Sequence, residues 1–295
     1  MKDVTVVLGF DMETDVGSWT PYYEGLCKAT PKLLSLLEDA GVKATFFFVG
    51  AAARKHPEIV KDVDAAGHEV GCHSLFHETV GEAIFEIPGM APLLEHEIAP
   101  RLQIATAIVS DIVGKPMASF RCPRLFGGTQ VVNALEELGY KADASLPMYY
   151  YDQRLGPYHP SRENWAEVGD SAVLEIPNFC DMTVESQDEY HRDRDQWPIL
   201  RTESAEALLG HVRNFAAYVR ERGIAPVCCF YLHPWEFHEM PQGPIHYGEA
   251  AVIPDPFIVK NCGQYALEQL DVFIREMKSS GARFTTCEEL AAEYA

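Results

Sequence analysis

Two histidines four residues apart, His73 and His77 in HEVGCHSLFHET (68–79), have the types and spacing of a metal-ligating pair. A helical turn over 73–77 would bring both imidazoles to one side, where they could converge on one ion. The same spacing describes polar residues that merely share a face, so the metal reading needs a third ligand from elsewhere. Carboxylates are available early in the chain, as Asp11, Glu13 and Asp15 of GFDMETD. Arg121 and Arg124 follow in FRCPR, and His233 and Glu236 in VCCFYLHPWEF.

These residues recur at comparable places in a regular pattern of elements. VTVVLGF (4–10) and KATFFFVG (43–50) read as buried strands, β-branched or aromatic and continuous rather than alternating. TPKLLSLLEDAGVK predicts a helix with Thr30 as cap, Pro31 at the first helical position and Gly41 past the end. HPEIVKDVDAAGHEVGCH repeats the scheme, with a helix, a stop at Gly67 and a strand running into the histidine pair. LLEHEIAPRLQIATAIVSDIVG reads as a long helix, MASFRCP as a strand, and TQVVNALEELGYKADASL as a helix, a glycine stop and another strand. The last 30 residues read helix, strand, helix. Repeated βα units imply a parallel sheet with helices outside, as an open doubly wound fold or a barrel. The segment 146–205, rich in Tyr, Pro, Asp and Arg, breaks the rhythm and reads as a long functional excursion from a single domain over 1–295. In such folds chemistry collects at the carboxyl ends of the strands, where the carboxylates, histidines and arginines all fall.

Composition narrows the function. With 295 residues, 47% of them hydrophobic, the chain can bury a large core. A net charge of −20 excludes nucleic acid and disfavours anionic membrane surfaces. The start, MKDVTVVLGFDMETD, turns acidic too early for a signal peptide, and no apolar run reaches the roughly 18 residues of a membrane span. Eight scattered cysteines without a CxxC pair fit reduced thiols, so we expect a cytoplasmic protein.

Taken together and in order, LGFDMET, GVKATFFFVG with GHEVGCHSLFH, FRCPR and FYLHPWEF resemble the polysaccharide deacetylases of the NodB homology type, carbohydrate esterase family 4. YKADASL and VLEIP add a likeness to its intracellular peptidoglycan-deacetylase-like and allantoinase-like subgroup. The resemblance implies an α/β fold, an irregular seven- or eight-stranded (β/α) barrel. It implies Asp11, Arg121 and His233 as catalytic residues and Glu13, His73 and His77 as ligands of a divalent metal, most simply Zn2+. The family's first motif usually has adjacent aspartates; here Met12 separates Asp11 from Glu13, and on a strand that spacing puts both on one side.

In the implied chemistry the ion polarises an amide carbonyl. Asp11 takes a proton from the attacking water, Arg121 orients Asp11 and holds it ionised, and His233 protonates the departing amine. Pro123, Trp235 and Tyr151 are the expected substrate contacts. The expected reaction is hydrolysis of a non-peptide carbon–nitrogen bond, deacetylating an N-acetylated sugar or small carbohydrate derivative. A metal-independent cyclic amide or ureide hydrolase, or an inactive carbohydrate-binding protein, are the alternatives. Expected partners are a small-molecule or carbohydrate substrate and, by analogy with related proteins, further copies of the chain.

Overall fold

Phe46, Phe47 and Phe48 are all wholly buried, which requires a strand covered on both faces. The computed structural model, which describes residues 1–87 and 89–295, provides this with a curled parallel sheet inside a layer of helices. Its strands are β1 (Thr5–Met12), β2 (Thr45–Phe48), β3 (Glu69–Cys72), β4 (Ser119–Phe120), β5 (Ala142–Asp143), β6 (Leu174–Glu175), β7 (Val227–Leu232) and, late in the chain, β10 (Arg283–Thr285). Between the last two lies an antiparallel hairpin of β8 (Ile245–Tyr247) and β9 (Ala250–Val252). The helices are α1 (Asp15–Ser18), α2 (Glu24–Ala40), α3 (Gly50–Lys55), α4 (Pro57–Ala65), α5 (Glu95–Val113), α6 (Thr129–Glu137), α7 (Ile199–Thr202), α8 (Ala205–Arg220), α9 (Gln264–Ser279) and α10 (Cys287–Tyr294).

β1 to β6 pair in sequence order, β7 pairs with the other side of β1, and β10 lies beside the start of β1. Asn178, just past β6, bridges Cys229 of β7, and Phe179 N–H donates to the Cys229 carbonyl at 2.8 Å. This closes the curl into an irregular barrel. Alternate residues of each strand face inward: Val7, Phe47, Ala142, Ala144, Leu174, Ile176, Val227 and Cys229 form the inner core. Their neighbours Leu8, Phe10, Phe46, Phe48, Phe120, Cys228 and Phe230 pack outward against the helices.

Three expectations need correction. Helix α2 begins at Glu24, not after Thr30, and carries Pro31 inside it. Its first turn is capped from a distance: the Asp15 carboxylate accepts N–H bonds from Glu24 at 3.0 Å and Gly25 at 2.9 Å. That cap outranks the local Thr-Pro signal, and the Thr30 hydroxyl donates back to the Leu26 carbonyl instead. Second, the excursion 146–205 contains the barrel strand β6, so it interrupts the βα rhythm without leaving the barrel. Third, residues 73–77 form no helical turn; Ser74 (φ 66°) and His77 (φ 60°) are left-handed, and the loop itself turns the second imidazole back. All eight cysteines are free thiols, as expected.

Candidate metal centre and active-site cleft

The mouth of the barrel opens into a cleft of about 540 Å³. Asp11 and Glu13 reach it from the end of β1 and are both buried. His73 follows β3, His77 the loop beyond it, and His233 the end of β7. The four-residue histidine spacing thus survives as proximity, with ring centroids 5.1 Å apart, although no helix produces it.

Each of these groups is held by a different device. Arg121 lies wholly inside the barrel, below the cleft. Its Nη1 donates to Asp11 Oδ1 at 2.9 Å, its Nε to the Ala144 carbonyl at 3.0 Å and its Nη2 to the Phe230 carbonyl at 3.2 Å. The guanidinium sits 4.4 Å from the centroid of the Phe47 ring. Gly9 makes this possible, since a Cβ there would lie 2.3 Å from Arg121 Nη1. Burial opposes the charge on Arg121, but the Asp11 carboxylate outweighs it and raises the guanidinium above its ordinary range. Asp11 Oδ2 remains facing the cleft, 3.9 Å from His73 Nε2 and 4.0 Å from His233 Nε2.

Glu13 receives Ser18 Oγ–H at 2.8 Å and Trp235 Nε1–H at 3.3 Å, and lies 2.7 Å from His77 Nε2. Burial pushes its carboxyl up, but the charge and hydrogen bond of His77 more than reverse this and depress it strongly. His73 donates Nδ1–H to the Arg121 carbonyl at 2.7 Å, which leaves Nε2 free to ligate. Burial pulls its pKa down to about 4, the neutral form a ligand needs. Donor atoms of Glu13, His73 and His77 all lie within 4.8 Å of one another. His77 Nδ1 is buried and, among the described residues, has no partner. Two imidazoles, a carboxylate and an orphaned buried nitrogen fit a divalent ion.

His233 is held from behind. Glu236 Oε1 accepts from its Nδ1 at 2.9 Å and from its backbone N–H at 2.9 Å. Glu236 Oε2 in turn accepts from Nε of the buried Arg201 at 2.6 Å. The guanidinium of Arg201 lies 5.5 Å from the centroids of both Trp197 and Trp235. Burial disfavours the imidazolium, yet the hydrogen bond to Glu236 and the charges of Glu13, Glu236 and Asp11 lift His233 to about 9. The 3-10 turn carrying Trp235 and Glu236 packs so closely on α2 that a Cβ at Gly25 would lie 2.2 Å from Trp235 Cα.

All six candidate catalytic and metal-binding residues therefore converge. Of the expected substrate contacts, Trp235 lines the cleft. Pro123 is buried at the start of a 3-10 turn and does not line it. Tyr151 stands outside, its ring packed 5.3 Å from Trp165; Tyr149 lines the wall in its place. A chain running irregularly through 147–151 has no strand alternation from which to choose between them. Arg201, Trp197 and Tyr231 were not legible as site residues, whereas Arg124 stood beside Arg121 in FRCPR. Glu236 had one local signal, its position three residues after His233.

The polysaccharide deacetylase family model matches residues 2–142. The chain is 42% identical over 145 residues to a peptidoglycan-N-acetylglucosamine deacetylase from Bacillus cereus, covering 49% of this chain and 58% of that protein. It is 26% identical over 198 residues to the peptidoglycan-N-acetylmuramic acid deacetylase PdaA from Bacillus subtilis, covering 59% and 67%. The chain spans as little as 20% of the length of another curated relative, a chitin deacetylase from Cryptococcus neoformans. Among solved structures, Puue allantoinase shares the fold with a TM-score of 0.63 at 15% identity, over 99% of this chain and 90% of that one. By motif order, barrel and family match, residues 2–142 carry a polysaccharide deacetylase domain, and the chain is similar to the peptidoglycan deacetylases named above.

Proposed function

We propose that this protein is a metal-dependent hydrolase that removes the acetyl group from an N-acetylated sugar. The observation that carries the reading is one juxtaposition. Asp11 Oδ2 and His233 Nε2 lie 4.0 Å apart across the mouth of the barrel, beside the Glu13–His73–His77 cluster.

Asp11 has one oxygen committed to Arg121 and one free, so its free oxygen is placed to take a proton from a water attacking the acetamide carbon. His233 has Nδ1 committed to Glu236, so Nε2 is the atom placed to hand a proton to the departing amine. A divalent ion held by Glu13, His73 and His77, zinc by its preference for these donors, would supply Lewis-acid polarisation of the acetamide carbonyl. The aromatic walls, Trp19, Trp197, Trp235, Tyr149 and Tyr231, offer flat apolar faces on which a sugar ring can rest. The two bacterial relatives named above carry peptidoglycan amino-sugar deacetylation in their names, which supports the same substrate class.

The test is acetate release from a panel of N-acetylated mono- and oligosaccharides, with metal-stripped protein and with protein reloaded with zinc. Acetate release that disappears on stripping and returns on reloading is the expected result. Opening of a cyclic ureide or imide without acetate release would overturn the reading in favour of a ring-opening hydrolase.

A further inference from the structure

Four arginines stand in or around the cleft, and they divide into two kinds. Arg121 and Arg201 are fully buried and each binds a carboxylate, Asp11 at 2.9 Å and Glu236 at 2.6 Å. Arg124 and Arg192 line the cleft itself, and among the described residues neither guanidinium has a carboxylate within 4.0 Å, although the Arg192 backbone N–H donates to Asp188 at 3.0 Å. We propose that these two guanidiniums bind an anionic group on the substrate, a carboxylate or a phosphate ester. The proposal rests on the deacetylase reading of the cleft and narrows its substrate to an acidic N-acetylated sugar.

Arg124 is half-buried, and its Nη1 donates to the His77 carbonyl at 3.0 Å. That bond ties it to the loop carrying a candidate metal ligand, so an anion it holds belongs to the part of the substrate near the reacting amide. Its own backbone is left-handed (φ 60°), as is that of Leu125 (φ 59°). Two successive non-glycine residues in this region are held there against their preference, a pattern that gathers at ligand-binding positions. Arg192 is exposed but not adrift, since its guanidinium rests 4.7 Å from the centroid of the Phe85 ring, another cleft residue.

The charges around them favour an anion. Of the carboxylates lining the cleft, Asp11 is paired with Arg121, and Glu13 belongs to the candidate metal-binding cluster with His73 and His77. The third, Asp255, is exposed and accepts the Phe257 N–H at 2.8 Å. Two cations without ion-pair partners thus face one solvated carboxylate, in a chain whose net charge is −20. A partly desolvated guanidinium gains most from an oxyanion that accepts two parallel N–H bonds, which carboxylates and phosphates both do.

Calorimetric binding separates this proposal from the hydrolysis that frames it. Three probes suffice: N-acetylglucosamine, N-acetylmuramic acid, which adds a carboxylate, and N-acetylglucosamine 6-phosphate. The expected result is at least tenfold tighter binding of one acidic probe than of the neutral sugar, with the preferred probe assigning carboxylate or phosphate. Arg124→Gln should lower that preference at least tenfold and Arg192→Gln severalfold. Raising NaCl should weaken the acidic probe alone, a readout available even if Arg124→Gln does not fold. Absence of a preference for either acidic probe, or a preference unaltered in both variants and by salt, would overturn the proposal. Acidic binding without acetate release would uphold anion recognition while contradicting deacetylation.

Discussion

The two walls of the cleft use the same buried element to opposite effect. On one wall Arg121 pairs with Asp11, and the carboxylate itself turns its second oxygen to the cleft. On the other Arg201 pairs with Glu236, and the carboxylate turns its second oxygen to His233, which faces the cleft in its stead. Two members make a neutral pair with a carboxylate on display. A third, titratable member makes a chain that ends in an imidazole, with His233 lifted to about 9, the group proposed above as proton donor. An acid and a base can therefore be built from one kind of ion pair by changing only how many groups stand between the arginine and the substrate.

His233→Ala breaks the second wall at its tip, and we expect acetate release to fall by about 10²–10⁴-fold, the worth of a positioned acid. A melting temperature close to that of the parent should accompany it, because His233 ends the chain of bonds rather than supporting it. Breaking the same wall at its base should register as stability instead. Arg201→Ala leaves Glu236 buried beside an unpaired site and should cost about 3–5 kcal/mol in urea titration. An Arg201→Ala protein as stable as the parent would remove the buried pair from the account.

Gly9→Ala probes the first wall without touching a charged group. Its Cβ would fall 2.3 Å from Arg121 Nη1, so the guanidinium must shift from Asp11. A loss in kcat of about tenfold or more is expected, the price of misplacing a catalytic group by an ångström or so. An unchanged kcat would show that Asp11 does not depend on that placement.

The smallest effect belongs to a pair remote from the cleft, His211 and Asp181, 2.8 Å apart. The hydrogen bond to Asp181 raises His211, whereas burial opposes it. For Asp181 burial pushes upward, but bonds from His211, Thr183 and Asn214 prevail and lower it. The raised histidine stabilises the fold fully below its unfolded pKa, about 6.5, and loses that contribution as pH climbs through the folded value. The lowered aspartate contributes above its unfolded pKa, about 3.9, and loses it in acid. His211→Ala should therefore cost more at pH 5.5 than at pH 9, by under about 1 kcal/mol because the imidazole is partly exposed. An equal cost at the two pH values, read from the urea midpoints of parent and variant, would remove the pair from the account.

The walls also differ in how far the sequence reveals them. Asp11, Glu13, His73, His77, Arg121 and His233 all lie at strand ends or in the loops beyond them, and a parallel barrel gathers strand ends at one mouth; order and spacing sufficed. Arg201 comes from the irregular segment 146–205, where no periodicity assigns a side chain a direction, and its partner lies 35 residues away. Helix α2 was misplaced for a similar reason, since its cap, Asp15, acts on Glu24, nine positions further along the chain. The two-residue barrel strand β6 stayed hidden because it lies in the irregular segment 146–205, without the preceding helix and glycine stop that mark β5. Local patterns were legible; contacts made across loops were not.

The most direct test compares acetate release by the zinc-loaded parent and Asp11→Asn, with metal content measured on both. The account predicts that the variant keeps its metal and loses activity by about 10²–10⁴-fold, because the asparagine cannot take the proton. An Asp11→Asn protein that releases acetate at the parent's rate would contradict it.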